Sequence, residues 1–419
     1  MSGQAFRFLH AGGFALDEPL AGVADPPETL AELLVDAPYR AAQRVFDAAL
    51  EERVDFLVLC GDLIDLKRPS PRALAFLLDH FEQLDRQGIA VYWAAGRLDP
   101  PQDWPPAAPL PRRVRVLNTT APEELSHFRG SRPVANLVGR SWHGTATFQV
   151  GTFPGDADGL PTIVAAYGQL GPEGTDDQHA AALRQQMVDF WALGGQPQRQ
   201  TFGTTDRLIH YAGSPQGRSA EEPGPHGCTL VHVAADRALR MQFLPTDAVR
   251  FHQESMPIDD EATLDGLRRT LVERAKQLTA EAESRWLVVS WKLRGGQHLA
   301  GPAGRRDLAA ELHDWLRTSV PAGGKAGLWT QSVELDQPEL PAEWYAEDSM
   351  LGDFLRSLQE LSSQETALDL GQYIPPPLRT AALAALVHWN RDEQAVVLGE
   401  AALTGAQLLG AADRSAAGN

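Results

Sequence analysis

The chain has 419 residues, 43% of them hydrophobic and 22% charged. That ordinary globular composition predicts roughly two to four domains and excludes wholesale disorder. Its 37 Lys and Arg against 55 Asp and Glu give a net charge of −18, which argues against a free-standing nucleic-acid binder, because a phosphate backbone rewards an excess of Lys and Arg. Two cysteines, Cys60 and Cys228, are too few for a disulfide framework or a Cys-rich zinc site and fit a reducing cytoplasm. No apolar run approaches the ~20 residues of a membrane span, and Met1–Leu20 lacks a basic start followed by an apolar core. A soluble cytoplasmic protein with no membrane partner is expected.

Phe6–Ala11 predicts a short strand. Asp36-Ala37-Pro38 predicts a helix start, with Asp36 as N-cap and Pro38 in the first turn; Ala41, Ala42, Val45, Phe46, Ala49 and Leu50 are its apolar stripe. Asp55–Cys60 is almost continuously apolar and predicts a buried parallel strand. Pro71–Arg86 predicts the next helix, ended by Gly88, and Ile89–Ala95 the next strand, so the amino-terminal third reads as βαβ. Shorter strands are predicted at Val114–Leu117, Leu137–Arg140, Thr162–Tyr167, Leu208–Tyr211, Thr229–Ala234 and Leu239–Leu244.

The composition changes after Pro245. Helices at Glu261–Leu278 and Arg305–Thr318 alternate with strands at Trp286–Leu293 and Leu328–Leu335, the pattern of a small α/β domain. Beyond Pro338 the chain reads as helical. Met350, Leu351, Phe354, Leu355, Leu358 and Leu361 form one stripe. Further helices are predicted at Pro377–Trp389 and Val396–Leu409, with a break at Gly371–Pro377 and a frayed end from Ala411.

The sharpest chemical signal is Gly61-Asp62-Leu63-Ile64-Asp65, directly after a predicted parallel strand. A carboxylate there sits where open α/β sheets bind ligands, and it could bridge two metal ions. Alone, the motif reads equally as a loop aspartate capping the next turn.

The wider pattern resembles the calcineurin-like metallophosphoesterases, specifically the SbcD/YhaO-type DNA repair exonucleases. The family opens with a strand ending in H-A-A-D-L-H-L-D-S-P-L, where this chain has His10-Ala11-Gly12-Gly13-Phe14-Ala15-Leu16-Asp17-Glu18-Pro19-Leu20. The stretch Asp36–Glu52, the run from Val54 to Asp65, the helix from Pro69 to Leu84, Trp191-Ala192-Leu193-Gly194 and Tyr211–Ser219 are all similar to the family. The strand Trp286–Leu293 with the following Arg294–Leu299 resembles its capping domain, and Glu347–Leu361 its partner-binding region.

The resemblance implies an α/β fold: a calcineurin-like β-sandwich flanked by helices over 1–250, a small α/β capping domain over 251–340 and a helical C-terminal region over 341–419. It also implies two divalent metals, usually manganese, that clamp a phosphodiester and activate a water, held by seven protein ligands with a separate catalytic His. Asp62 falls on the bridging Asp. The other ligand positions fall on Gly13, Ala15, Arg97, Tyr167, Gly195 and Pro197, and the catalytic His on Leu98, so six of the seven ligand positions are substituted. A single carboxylate cannot hold a dinuclear site, since hard divalent cations need several ligands each. No catalytic residue and no cofactor are expected, and a salt bridge from Asp62 to Arg97 is expected to fill the pocket.

One alternative is an active phosphoesterase with weakly bound Mg or Mn on Asp62 together with Asp17, Asp65 or Asp99. Another is an interaction protein outside DNA metabolism. The implied partners are a second copy of the chain, an SbcC/YhaN-type ATPase docked on Met350, Leu351, Phe354, Leu355 and Leu358, and DNA reached through that ATPase. Those apolar side chains could equally pack on the chain's own body.

Other residues read more plainly. His10 reads as a packed strand residue behind the site, and His226 and His232 as solvated or strand residues. Arg112-Arg113-Val114-Arg115 reads as an exposed strand entrance, and Trp191, Trp286, Trp291 and Trp315 as core. No Gly-rich phosphate loop is present, so ATP hydrolysis by this chain alone is not expected.

Overall fold

The computed structural model describes residues 4–144, 153, 159–171, 176–203, 207–283, 285–296, 298–300, 304–320, 326–336, 340–363, 375 and 391–409. Two compact units divide the chain. The first holds Met1–Gln253, Leu278–Val289 and Ala322–Gln331; the second holds Glu254–Gln277, Ser290–Pro321 and Ser332–Asn419. Three stretches of the region expected as a capping domain, 251–253, 278–289 and 322–331, therefore group with the first unit.

The first unit begins β1 (Phe6–Ala11), α1 (Glu28–Glu51), β2 (Phe56–Cys60), α2 (Pro71–Arg86), β3 (Ala90–Ala94) and β4 (Val114–Val116). These four strands pair in parallel, β1 on β2, β2 on β3 and β3 on β4. A second sheet follows from β5 (Glu123–Arg129), β6 (Arg132–Arg140), β7 (Thr162–Tyr167), α3 (Asp176–Arg184), β8 (Phe190–Gly194), β9 (Gln200–Phe202) and β10 (Leu208–Tyr211), in the order β5-β6-β7-β8-β10-β9. The chain then returns through β11 (Gly227–Val233) and β12 (Leu239–Pro245), completing the first sheet as β12-β11-β1-β2-β3-β4.

The period-two alternation of strand side chains explains the layers. In β1 and β2, Phe8, Phe56, Val58 and Cys60 meet Leu137, Ile163, Phe190 and Ala192 of the second sheet. The alternate residues Leu9, Leu57 and Leu59 meet Val45 and Phe46 of α1 and Leu77 and Phe81 of α2. Both faces of these strands are buried, so their sequences read as near-continuous apolar runs. On the far face of the second sheet, Val164, Trp191 and Ile209 pack with Ala180 and Leu183 of α3. The fold is mixed α/β, with stacked sheets flanked by helices.

Helix α1 departs from the expectation. It starts at Glu28 behind an N-cap at Pro27, so Pro38 lies inside it rather than in its first turn. Pro38 has no N–H to offer the Leu34 carbonyl. The backbone N–H of Leu20 donates to that carbonyl instead, at 3.0 Å. The added turns bury Leu30, Leu33 and Leu34 with Leu20, Val249 and Phe251, which offsets the interior proline. Asp36, the expected cap, pairs with Arg72 at 2.8 Å.

A three-stranded sheet runs β13-β14-β15, made of β13 (Val249–Ile258), β14 (Trp286–Gly295) and β15 (Gly327–Leu335). The sequence reading missed β13, along with β5, β8, β9 and α3. The second unit contains α4 (Leu264–Glu281, to Gln277), α5 (Arg305–Ser319), α6 (Ala342–Ala346), α7 (Met350–Ser363) and α8 (Arg391–Leu408). Its carboxyl-terminal part has its own core of Trp344, Leu351, Leu355, Ala402 and Ala406. The expected helix at Pro377–Trp389, the break at Gly371–Pro377 apart from Pro375, and the frayed end lie outside the described residues. Of the four tryptophans expected in cores, Trp191, Trp286 and Trp291 are fully buried. Trp315 is half-buried, with the Arg268 guanidinium 5.7 Å above its ring.

The two stacked sheets approach closely at Cys60. Its thiol donates to the Ala192 carbonyl at 3.3 Å. A methyl group on Gly12 would lie 2.3 Å from the Cys60 carbonyl oxygen, and one on Gly194 would lie 1.9 Å from it. Only glycine fits at either place, because the obstacle is backbone. Gly194→Ala is expected to lower the unfolding free energy by about 1–3 kcal/mol, the usual cost of forcing an extra methyl into a packed core. A urea titration reads this directly, and an unchanged midpoint would contradict so close an approach.

Candidate functional site

The carboxyl ends of β1, β2, β3, β7, β8 and β10 converge on a cavity of about 180 Å³. Gly13, Ala15, Asp62, Leu98, Tyr167, Gly195 and Pro197 all line it. Residues from five separate loops, placed on family positions by sequence likeness, are therefore brought together by the fold. Arg97 is exposed beside them.

Backbone bonds fix the loops around Asp62. The N–H groups of Gly13, Ala15 and Leu16 donate to the carbonyls of Gly61, Asp62 and Leu63 at 2.8, 2.9 and 3.1 Å, so the loop after β1 runs alongside the loop after β2. Gly61 has φ +73° and Asp62 φ +53°, consecutive left-handed residues that turn the chain sharply and aim the carboxylate inward.

Asp99 holds this turn from the β3 side. It is fully buried, and it accepts from the backbone N–H groups of Asp62 at 3.1 Å, Leu63 at 2.8 Å and Gly96 at 2.5 Å. Burial, with Asp62 nearby, pushes its carboxyl up to about 7, while these donors pull it down.

The Asp62 carboxylate has two partners. Oδ1 accepts from the Leu98 N–H at 2.9 Å, and Oδ2 accepts from the Tyr167 hydroxyl. The Tyr167 ring lies in a cradle of glycines: a methyl on Gly61 would meet it at 2.2 Å and one on Gly96 at 2.8 Å. Burial first, and then the Asp62 charge, raise the phenol well above its ordinary value, so it remains a proton donor to the carboxylate. The expected salt bridge from Asp62 to Arg97 is not formed. Each carboxylate oxygen has a donor, one the tyrosine hydroxyl and the other a backbone N–H, and Arg97 is exposed to solvent.

The acids considered for a rebuilt metal site do not converge with their side chains. Asp17 accepts from the Tyr39 hydroxyl at 3.0 Å and from the Ser70 N–H at 3.0 Å, tying α1 to the start of α2. Asp65 caps the Lys67 N–H at 2.9 Å. Asp99 spends both oxygens on backbone donors. Among the described residues no group of three or more His, Cys, Asp or Glu is placed to hold a metal ion.

Two cavity residues were not singled out from sequence. Arg218 bonds the Glu18 backbone carbonyl at 2.6 Å and the Glu18 carboxylate at 3.1 Å, closing one wall. The only signal for this pair was a basic residue inside a family-like segment and an acid beside Pro19.

The histidines separate by environment. His10 is fully buried with neither ring nitrogen hydrogen-bonded, its ring edge-on to His210 at 5.6 Å. Burial, then His210, hold it well below the ordinary imidazole value. His210 is bracketed by the Thr201 and Thr229 hydroxyls, each at 2.8 Å, and burial pushes it down to about 3. His226, read above as solvated or in a strand, is buried in a loop and bonded to the Ser214 hydroxyl at 3.0 Å and the Glu222 carbonyl at 3.2 Å. Arg113 and Arg115 of the basic strand entrance pair with Asp85 and Glu123 at 3.6 and 3.3 Å.

In the second unit, the stripe considered for a partner turns largely inward. Leu351 and Leu355 are buried, and Phe354 and Leu358 pack on the same core with α6 and α8. Of these five residues only Met350 is strongly exposed, at 74%.

Two outcomes follow from these contacts. Tyr167→Phe is expected to cost about 1–2 kcal/mol through loss of a charge-assisted hydrogen bond. A double-mutant cycle with Asp62→Asn should show that the two changes are not additive, and additivity would mean the groups do not interact. The second outcome concerns pH. Burial pushes His127 down to about 4 and His210 to about 3. The unfolded chain therefore takes up protons first, near the ordinary value of about 6.5. Both contributions are whole above that value and are lost as pH falls toward 4 and 3. Unfolding titrations from pH 8 to 4 should show this acid loss, and His127→Gln should reduce it.

No family model matches the chain. It is 33% identical over 234 residues to the uncharacterized metallophosphoesterase YhaO of Bacillus subtilis, a match covering 54% of this chain and 57% of that protein. It is 28% identical over 284 residues to the DNA double-strand break repair protein Mre11 of Haloferax volcanii, covering 65% of this chain and 59% of that protein. The chain thus spans less than two thirds of the length of either relative. A dimetal phosphatase from Danio rerio is 12% identical with a TM-score of 0.33, covering 58% of this chain and 98% of that one. So low a score carries no argument, and the fold rests on the strand order given above. By its sequence relatives the chain is similar to the calcineurin-like metallophosphoesterases of the SbcD/YhaO type, and its stacked, helix-flanked sheets agree with that likeness.

Proposed function

We propose that this protein is a catalytically inactive metallophosphoesterase-fold subunit that serves in DNA-end processing beside an SbcC/YhaN-type ATPase. The observation that carries the reading is the Tyr167 hydroxyl on the Asp62 carboxylate. Asp62 is the one ligand position of the family pattern that keeps a ligand, and the oxygen that would face a metal instead accepts a proton-bearing phenol. Tyr167 itself stands where the pattern has a metal-binding His.

The donor set around the cavity does not fit two divalent ions. Gly13, Ala15 and Gly195 have no donor side chain, Pro197 cannot coordinate, and Arg97 brings a fixed positive charge to the rim. Leu98 cannot protonate a leaving group. No hydrolytic step is therefore assigned to these residues.

The DNA repair setting and the ATPase partner rest on likeness. One relative is named a double-strand break repair protein, and the chain carries the segments that resemble the family's capping and partner-binding regions. A net charge of −18 supports DNA contact through the partner rather than through this chain alone. A second copy of the chain is the other implied partner.

The test has two arms. The purified protein should bind no stoichiometric manganese and should cleave no linear DNA in manganese, with Asp62→Ala making no difference. Restoring the pattern with Gly13→Asp, Ala15→His, Arg97→Asn, Leu98→His, Tyr167→His, Gly195→His and Pro197→His should recover manganese binding. Tight metal in the natural chain, together with cleavage abolished by Asp62→Ala, would overturn the inactive reading. Co-purification with an SbcC/YhaN-type ATPase supports the partner, and its failure on co-expression counts against it.

A further inference from the structure

The cavity at the carboxyl ends of the parallel strands is not the largest recess in the first unit. Two cavities of about 710 and 720 Å³ lie at the other end, around the residues that lead into β1, β2, β3 and β4. They share a wall made of Arg53, Asp55 and Arg129. The first also takes in Arg86 and Arg113, and the second Arg7 and Arg240. Six arginines and one carboxylate line the pair, in a chain whose overall charge is −18.

Some of this charge is spoken for. Arg129 binds Asp55 at 2.6 Å, and Asp55 also accepts from the Arg7 N–H at 3.0 Å. Arg7 reaches Glu52 at 3.3 Å, Arg113 reaches Asp85 at 3.6 Å, and Arg86 reaches Glu82 at 4.0 Å. Arg53 and Arg240 have no ion pair among the described residues. Both side chains are exposed at the cavities and have no acid partner, so their charge is available to an outside anion.

The backbone at Arg53 makes the same point independently. It is the first residue past the C-cap of α1 and has φ +46°. The Arg53 N–H bonds the Leu50 carbonyl at 3.1 Å, and the Val54 N–H bonds the Ala49 carbonyl at 3.2 Å. This is a left-handed helix ending, where glycine is least costly. The chain places an arginine there at a conformational cost, with its side chain on the wall between both cavities.

Phe128 completes the arrangement. It lines the first cavity at an irregular register between β5 and β6, and it remains 53% exposed. An exposed aromatic face beside guanidinium groups suits a heterocyclic base joined to phosphates. A long nucleic-acid strand suits the site less. The attraction of the arginines reaches only about 8–10 Å in ordinary salt, so a strand leaving the patch would run over a surface that is acidic overall.

We propose that these adjoining cavities bind a nucleoside diphosphate across their shared wall, with Arg53 and Arg240 holding its phosphates and Phe128 stacking on its base. The assignment is independent of whether the Asp62 site is active.

The experiment is calorimetric titration of the full chain with ADP and, separately, with inorganic pyrophosphate. Saturable ADP binding is expected, weakened about tenfold by each of Arg53→Gly and Arg240→Gln. Phe128→Ala should weaken ADP but not pyrophosphate. Arg53→Gly also serves as the folding control, because glycine suits its backbone and should leave the melting temperature unchanged or raised. Absence of ADP binding, or binding untouched by the arginine variants, overturns the site. ADP affinity unchanged by Phe128→Ala overturns the stacking role and with it the nucleotide. A single-stranded oligonucleotide bound more tightly than ADP, and lost in the same variants, overturns the small-ligand assignment.

Discussion

The first unit depends on how closely its two sheets meet at the carbonyl of Cys60. Gly194 from the other sheet and Gly12, just past β1 of the same sheet, press on that single carbonyl, and neither could carry a side chain. The contact draws the ends of β1, β2, β7 and β8 together, and so places the loops after them around one small cavity. A single methyl at this point would push the sheets apart and open the distances on which every contact of the site depends.

Given that approach, the cavity's electrostatics follow from a short chain of contacts. Asp99 is buried and anchors the backbone of the Asp62 turn. The turn aims the Asp62 carboxylate inward, and a tyrosine lying on Gly61 and Gly96 satisfies it. A carboxylate in such a place needs donors or a cation. A neutral phenol and a backbone N–H meet that need without any bound ion, and they leave Arg97 free to face water.

Much of the fold was legible in the residue order, for identifiable reasons. Phe6–Ala11, Pro71–Arg86, Thr162–Tyr167 and Leu208–Tyr211 match their predicted bounds because their periodicity and caps are local properties. The start of α1 was misread because Asp36-Ala37-Pro38 has the local form of a helix start. What overrides it is a distant backbone group, the Leu20 N–H, that satisfies the carbonyl Pro38 leaves open. β5 and β9 were missed because their side chains are largely exposed and carry little apolar pattern. The site shows the same division. The positions around the cavity could be aligned from sequence, but the acid's partner could not. The rule that a buried carboxylate seeks a cation pointed to Arg97, whereas the glycine-lined space admits the ring of Tyr167.

Composition, apolar period and local motifs settled the class of this protein: a mixed α/β chain with a carboxylate loop after its second strand. Those features act over a few residues, so they survive in a linear reading. Which side chain meets which, and where charge is left without a partner, depended on contacts between residues far apart in the chain. Tyr167 is 105 residues from Asp62, and Arg240 and Arg53 come from distant parts of the chain to line adjoining cavities. Strand order and sheet stacking bring such groups together, because the short-range patterns of the sequence carry no record of the distance between them.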